Sequence, residues 1–191
     1  MSYVLNKMSP ITQNLVSFFK KKKNRINSSN LYLHEPLLSN LEEKYLKRCI
    51  KSGFVSTIGK FVKLFEKRIK IFTKSKYAIS VVNGTSALHL ALKLVNVKKG
   101  DEVLVPNISF IATANAILYE HAQPHFVDVE DKNFGVDPEK LEKYLKTNTR
   151  IKNNKCYNIK TGNYITAIIV VHVFGHPAKI ENLIKVSKKF K

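Results

Sequence analysis

One junction between an apolar segment and a helical pattern carries the residues best suited to hold a phosphate group. Gly84, Thr85 and Ser86 follow Asn83 at this junction. The first N–H groups of a helix have no intrahelical acceptor, and the helix dipole adds partial positive charge at that end. Together with two hydroxyl groups, these donors predict a phosphate site. An ordinary helix cap is the alternative interpretation, because Ser and Thr favour helix starts without any ligand.

Two later segments carry further candidate residues. Pro106–Ala116 contains Phe110, whose flat ring could stack on a planar ligand, although core packing is the commoner role of a single phenylalanine. His172–Pro177 contains two histidines four positions apart, but Gly175 and Pro177 prevent the helix that such a metal site needs. No metal site is therefore predicted. The sequence has neither a G-x-G-x-x-G nor a Walker motif, which disfavours dinucleotides and nucleoside triphosphates.

Alternating strands and helices place these segments at one edge of a sheet. The predicted strands are Tyr77–Val82, Glu102–Val105, Pro124–Val129 and Ile165–Val171. The predicted helices are Leu41–Ile50, Phe61–Phe72, Ser86–Val95, Ser109–Tyr119, Pro138–Leu145 and Ile180–Phe190. This alternation predicts parallel βαβ units, and hence an α/β fold with a mainly parallel sheet flanked by helices. In such sheets ligands bind at the carboxyl ends of the strands.

A small insert interrupts the alternation of strands and helices. Two short runs, Lys155–Ile159 and Asn163–Ile165, flank a Lys-Thr-Gly sequence. Strand-forming residues around a turn containing Gly predict a β-hairpin.

Composition limits the class of protein. The 191 residues are 44% apolar, which suffices for one globular core. The net charge of +19 attracts polyanions in principle, but the cations are scattered and form no stripe with aromatic residues, so no nucleic-acid partner is predicted. Two distant cysteines favour the cytoplasm, and no apolar run approaches the ~20 residues that cross a bilayer. Residues 1–32 form a basic extension, either a mobile arm or an amphipathic anchor.

In their order and spacing these segments resemble the DegT/DnrJ/EryC1/StrS family, PLP-dependent sugar-nucleotide aminotransferases of fold type I. The resemblance covers residues 33–191 and rests on Asn83–Leu88, Pro106–Asn115, Phe126–Val129 and His172–Gly175. Two boxes, Leu33–Pro36 and Phe54–Phe61, and the hairpin insert are similar to the LegC subgroup. That subgroup aminates a UDP-linked 4-keto-6-deoxy amino sugar for legionaminic-type nonulosonic acids. Residues 33–191 would then be the first part of the large domain.

The resemblance implies roles for particular residues. Gly84, Thr85 and Ser86 would hold the phosphate of pyridoxal 5'-phosphate (PLP), and Phe110 would stack on its pyridine ring. The residues expected near the sugar nucleotide are Thr57, Lys60, Asn115 and His172. The lysine that attaches the cofactor would follow residue 191, as would the small domain. We therefore expect no catalytic residue in this chain and no activity of the chain alone.

The resemblance also implies partners and leaves alternatives. It implies a nucleotide-sugar substrate, an amino-acid donor (usually glutamate) and a homodimer. A PLP-dependent sugar dehydratase remains an alternative, because relatives with His in place of the attaching lysine catalyse dehydration. A non-catalytic basic binding module is the other alternative, suggested by the net charge alone.

Overall fold

A computed structural model describes residue 17, residues 36–56 and residues 58–191 of the chain. The predicted basic extension, apart from Ser17, lies outside the described residues, as do Leu33–Glu35 and Thr57. The chain divides into two compact units, Met1–Phe65 and Glu66–Lys191. Among the described residues, no helix combines the length and the apolar character that a bilayer-spanning segment requires.

Among residues 36–65, the first unit contains helix α1 at Asn40–Lys51. Ser39 caps it, and the Glu42 side chain bonds back to the Ser39 backbone, so that both form a capping box. The chain turns after α1 at Gly53, where the backbone φ of 72° favours glycine. The second helix, α2, spans Lys60–Thr73 and begins in this unit. Both helices were predicted from the periodicity of their apolar residues.

The second unit is built around a five-stranded mixed sheet. Its strands are β1 Glu102–Pro106, β2 Gln123–Val127, β3 Thr149–Lys152, β4 Lys155–Asn158 and β5 Tyr164–Ile168. Its remaining helices are α3 Gly84–Leu94, α4 Ile111–Tyr119, α5 Pro138–Asn148 and α6 Ile180–Phe190. The strand order is β2-β1-β5-β4-β3. β1 is parallel to both β2 and β5, whereas β4 is antiparallel to β5 and β3.

Strand β1 is buried along its whole length because helices cover both faces of the sheet. Val103 and Val105 pack with residues of α3 and α4, among them Ile117. Leu104 points to the other face and joins a cluster with residues of α5 and α6, among them Leu183. Alternation of side chains along a strand produces these two cores. The predicted α/β fold, with a largely parallel sheet between helices, is confirmed.

The strand predicted at Tyr77–Val82 does not form. This segment follows α2 without regular structure, and Tyr77 and Val82 are 73% and 87% exposed. A strand needs a neighbour for its backbone hydrogen bonds, and both edges of β1 are already occupied by β2 and β5. Within the described sheet the segment pairs with no strand, so its strand-forming residues have no ladder to join.

The insert has three strands rather than two. The predicted hairpin is present as β4 and β5, which pair Cys156 with Ile165 and Tyr157 with Tyr164. β3 adds a strand that the sequence did not predict, because its residues Thr-Arg-Ile-Lys look like the polar end of α5. Asn153 and Asn154 join β3 to β4 with φ of 52° and 60°, a turn that asparagine tolerates.

Candidate cofactor site

Helix α3 begins at Gly84 and is capped by Asn83 rather than by a hydroxyl residue. The Asn83 Oδ1 accepts a hydrogen bond from the Ser86 N–H at 2.8 Å. The Asn83 backbone carbonyl accepts the Ala87 N–H at 3.1 Å. Thr85 and Ser86 are therefore not needed as caps.

Four donors at this helix start have no acceptor in the part of the chain that the structure describes. They are the N–H groups of Gly84 and Thr85 and the hydroxyl groups of Thr85 and Ser86. Both hydroxyl residues are half-buried, and a Cβ added at Gly84 would meet no atom within 4 Å. Open space in front of unpaired donors fits the phosphate of the cofactor that the sequence resemblance implies.

We expect Asn83→Ala to lower the free energy of unfolding by about 0.5–2 kcal/mol, the usual cost of losing an N-cap. Thermal or urea denaturation measures this change. Ser86→Ala is the matched control, because it removes a hydroxyl group that caps nothing. An equal loss of stability in both variants would contradict the assignment of the cap to Asn83.

A cavity of about 300 Å³ adjoins the start of α3. Its lining residues are Asn83, Thr85, Ser86, His89 and Tyr119. His89 lies one helical turn after Thr85 and Ser86, so it shares their side of the helix. Sequence reasoning missed His89 and Tyr119, although this helical spacing could have indicated His89.

His89 connects α3 to the end of α4. Its Nε2 lies 2.5 Å from a carboxylate oxygen of Glu120, whose side chain is only 11% exposed. The His89 ring meets the Tyr119 ring edge-on, with centroids 5.7 Å apart. Lys93 approaches the same Glu120 oxygen at 3.5 Å. These contacts hold the middle and the last turn of α3 against the end of α4 and thereby fix the part of the cavity wall that His89 and Tyr119 form.

Phe110 does not line that cavity. It is the N-cap residue of α4, with an extended backbone, and its side chain is 78% exposed. The ring is thus available for a ligand and has no role in core packing, but the structure does not bring it into one cavity with Thr85.

The residues expected near the substrate are spread over both units. In the second unit, Asn115 is half-buried within α4. His172 is exposed just after β5, and its Nδ1 accepts the Ala178 N–H at 3.0 Å, which leaves the proton of the neutral ring on Nε2. In the first unit, Lys60 lines a separate cavity of about 420 Å³ with Phe54 and others. Thr57 lies outside the described residues.

Phe174 lies in the segment His172–Gly175, which the sequence analysis singled out without assigning this residue a role. It lies in the short 3-10 turn after β5 with a φ of 51°, which is unusual for a residue other than glycine. Its side chain is exposed. Strained backbone of this kind concentrates at functional sites, so Phe174 marks the loop after β5 for functional study.

A second cavity of this unit is larger than the one at the start of α3 but is not the candidate site. It has a volume of about 510 Å³ and lies between α3, β5 and α6. Its walls are mainly apolar, with Leu88, Ile168 and Phe190 among them. Ligand sites also need a few convergent polar groups, and those gather instead at the start of α3.

Glu102 forms a buried polar cluster that the sequence did not reveal. It is 3% exposed and begins β1, at the opposite end of the strand from the Pro106 loop. His125 Nδ1 lies 2.6 Å from Oε2, the Asn158 amide donates to Oε2 at 2.9 Å, and the Thr161 hydroxyl donates to Oε1. Burial raises the pKa of Glu102, but these hydrogen bonds together outweigh it and hold the pKa below its usual value.

The chain is similar in sequence to a known protein family and to several of its characterised members. A family model described as the DegT/DnrJ/EryC1/StrS aminotransferase family matches residues 36–191. The chain is 32% identical over 156 residues to GDP-perosamine synthase of Escherichia coli O157:H7, covering 82% of this chain and 38% of that protein. It is 29% identical over 148 residues to dTDP-3-amino-3,6-dideoxy-alpha-D-galactopyranose transaminase of Aneurinibacillus thermoaerophilus, covering 78% and 36% respectively.

Solved structures agree with the fold. The aminotransferase from Psychrobacter cryohalolentis superposes with a TM-score of 0.69 and 25% identity, over 84% of this chain and 37% of the other. The chain therefore spans less than two fifths of the length of these relatives. Because the family model matches most of the sequence, the chain belongs to the DegT/DnrJ/EryC1/StrS aminotransferase family.

Proposed function

We propose that this chain contributes the phosphate-binding part of a PLP-dependent aminotransferase that acts on nucleotide-linked 4-keto-6-deoxy sugars. The family implies PLP as the cofactor. The observation that supports the assignment in this chain is the set of four unpaired donors at the start of α3. Thr85 and Ser86 line the cavity at the start of α3, and a Cβ added at Gly84 would meet no atom within 4 Å.

In this proposal the residues of the chain bind and orient the cofactor. When bound, PLP supplies the electron sink for amino-group transfer. The N–H groups of Gly84 and Thr85 and the hydroxyls of Thr85 and Ser86 would donate to its phosphate. The Asn83 cap would keep these donors in place, because it fixes the first turn of α3. Phe110 would stack on the pyridine ring, and the Nε2–H of His172 would be free to donate to a ligand at the same sheet edge.

The substrate class is proposed from the relatives and from the sequence resemblance. Two relatives are named for GDP- and dTDP-linked sugars, which supports a nucleotide-linked sugar without selecting the nucleotide. The LegC-like boxes favour a UDP-linked amino sugar. The residues proposed to lie near the sugar nucleotide are Thr57, Lys60, Asn115 and His172. Glutamate as donor and a cytoplasmic homodimer belong to the same proposal.

We expect Thr85→Val combined with Ser86→Ala to weaken binding of the cofactor phosphate at least about a hundredfold, because each of the two hydroxyl–phosphate hydrogen bonds contributes roughly 1.5–3 kcal/mol. The probe is 4-deoxypyridoxine 5'-phosphate, which lacks the aldehyde and so cannot react with the many surface lysines. Equilibrium dialysis of the full chain measures its dissociation constant.

Two controls distinguish binding of the phosphate at the start of α3 from general attraction of an anion to the basic protein. Thr147→Val removes an exposed hydroxyl on α5 and leaves binding unchanged. The unphosphorylated 4-deoxypyridoxine binds wild type and variant with the same, weaker affinity. The proposal fails if the double variant retains the affinity of the wild type for the phosphorylated probe.

A further inference from the structure

One face of the insert gathers cations and tyrosines from three strands. The register pairs Arg150 with Tyr157, Lys152 with Lys155, and Tyr157 with Tyr164. Residues directly opposite one another in a sheet project to the same face. We call these five residues, Arg150, Lys152, Lys155, Tyr157 and Tyr164, the basic face. The sequence shows no such stripe because its members come together only when the three strands pair.

The tyrosine rings hold the cations in place. The Arg150 guanidinium carbon lies 5.2 Å from the Tyr157 ring centroid, and the Lys152 Nζ lies 4.8 Å from the same centroid. Lys155 Nζ lies 5.6 Å from the Tyr164 centroid. The two rings pack edge-on at 5.5 Å. Each cation–π contact contributes about 0.5–1 kcal/mol at an exposed site, so the charges are partly ordered before any partner binds.

The positive charge of the basic face is not compensated. Lys152 and Lys155 lie directly opposite each other, and like charges in that position are destabilising. Neither these lysines nor Arg150 forms an ion pair with a carboxylate among the residues that the structure describes. Lysines elsewhere do, such as Lys179 with Glu130 at 2.5 Å. A carboxylate brought to this face would relieve the repulsion.

The basic face borders a strand edge that pairs with no other strand among the described residues. The sheet ends at β3, which carries Arg150 and Lys152 two residues apart. Such residues lie about 6.8 Å apart on one face of a strand, and a segment added to the edge repeats its own side chains with the same spacing. We propose that β3 binds an extended acidic segment of a partner protein, whose alternate carboxylates pair with Arg150 and Lys152.

The charges also explain why an acidic partner, and not a second copy, is the occupant. Cations on an edge strand repel other basic strands and so discourage self-association. At this edge a second copy would place its own Arg150 and Lys152 against the same cations, which makes pairing of two β3 strands unfavourable. The same cations attract an acidic strand, so edge protection and partner selection arise from one feature.

Side-chain hydrogen bonds hold the insert to the start of β1. Asn158 and Thr161 bind the buried Glu102, which anchors the insert to β1. Tyr164 begins β5, whereas His172 follows its other end. The basic face therefore lies at the opposite end of β5 from His172, and this inference does not rest on the proposed function.

Fluorescence anisotropy of the full chain tests the proposal with a labelled peptide of alternating Glu and Val. We expect the triple variant Arg150→Gln, Lys152→Gln, Lys155→Gln to bind it about tenfold more weakly than wild type, because exposed ion pairs contribute roughly 0.2–1 kcal/mol each. The control variant Lys143→Gln, Lys185→Gln, Lys188→Gln removes the same charge from exposed positions on α5 and α6. It keeps the affinity of wild type.

A second peptide of alternating Glu and Pro separates strand pairing from charge. It carries the same charge, but proline lacks the N–H that a ladder needs, so we expect weaker binding. Equal losses in the two triple variants would assign binding to the overall charge and overturn the proposal. Equal binding of both peptides would overturn it too, as would tighter, face-dependent binding of an oligouridine, which would identify a nucleic-acid surface.

Discussion

We expect Glu102→Gln to lower the free energy of unfolding at neutral pH by about 1–3 kcal/mol, the cost of breaking a buried hydrogen-bond cluster. The Glu102 carboxylate only accepts hydrogen bonds, and it accepts them from Asn158, Thr161 and the ring of His125. A glutamine keeps one acceptor oxygen and replaces the other with an NH₂ donor. That donor must face one of the existing donors, so a buried polar group loses its partner.

The pH dependence of stability gives this prediction a second readout. The pKa of Glu102 is lowered in the folded protein from the ordinary value of 4.5, so the unfolded chain binds the proton more readily. The stability that Glu102 contributes is complete above the unfolded pKa and is lost as the pH falls through the lower folded pKa. The difference between wild type and Glu102→Gln should therefore be largest at neutral pH and shrink below pH 4.5.

Urea denaturation of both proteins from neutral to acidic pH measures this difference. Other carboxyl groups with lowered pKa, such as Asp128 and Glu142, are common to both proteins and cancel in the comparison. Asp131→Asn is the control, because Asp131 is exposed and makes no hydrogen bond among the described residues. Parallel pH profiles for wild type and Glu102→Gln would contradict the role assigned to the buried carboxylate.

Local signals in the sequence were sufficient for most helices and for the central strand. Asp137 followed by Pro138 indicated the start of α5, and the structure places the cap at Asp137. The predicted bounds of α6 agree with Ile180–Phe190. Both depend on neighbouring residues alone, namely a cap or an apolar repeat at helical spacing. Elements of this kind can be predicted without knowledge of the tertiary structure.

Features that depend on pairing could not be predicted in the same way. Tyr77–Val82 has strand-forming residues but no paired neighbour, whereas β3 has polar residues and forms because β4 lies beside it. Asn158 and Thr161 reach Glu102 from 56 and 59 positions away. No short-range pattern encodes such contacts, because the packing of distant segments creates them.

In the candidate site, too, features set by neighbouring residues were predicted, whereas features set by the packing of distant segments were not. The start of α3 was predicted from adjacent residues, and its donors are unpaired in the structure. The contacts of His89 with Tyr119 and Glu120 come from the packing of α3 on α4, which the sequence did not specify. The predicted pairing of Thr85 with Phe110 around one ligand remains a prediction, since the cavity beside Thr85 is not lined by Phe110.

The loop after β5 depends on a close contact at Gly135. A Cβ added there would lie 2.8 Å from the Cβ of Ala178, closer than such atoms approach in proteins. Ala178 is buried, and its N–H holds the ring of His172. Asn133 ties the same two segments together by donating to the Pro177 carbonyl at 3.0 Å. The absence of a side chain at position 135 therefore sets where the loop carrying His172 lies.

We expect Gly135→Ala to lower the free energy of unfolding by about 1–3 kcal/mol, because the new methyl group meets a Cβ that cannot rotate away. Thermal denaturation should show a fall in Tm of about 2–4 °C for each kcal/mol lost. Gly84→Ala is the matched control, since its Cβ meets nothing within 4 Å. Adding Ala178→Gly to Gly135→Ala removes the opposing methyl and should restore part of the loss, so that the two substitutions are coupled in a double-mutant cycle. Additive effects of the two substitutions would show that the contact between positions 135 and 178 does not hold this loop.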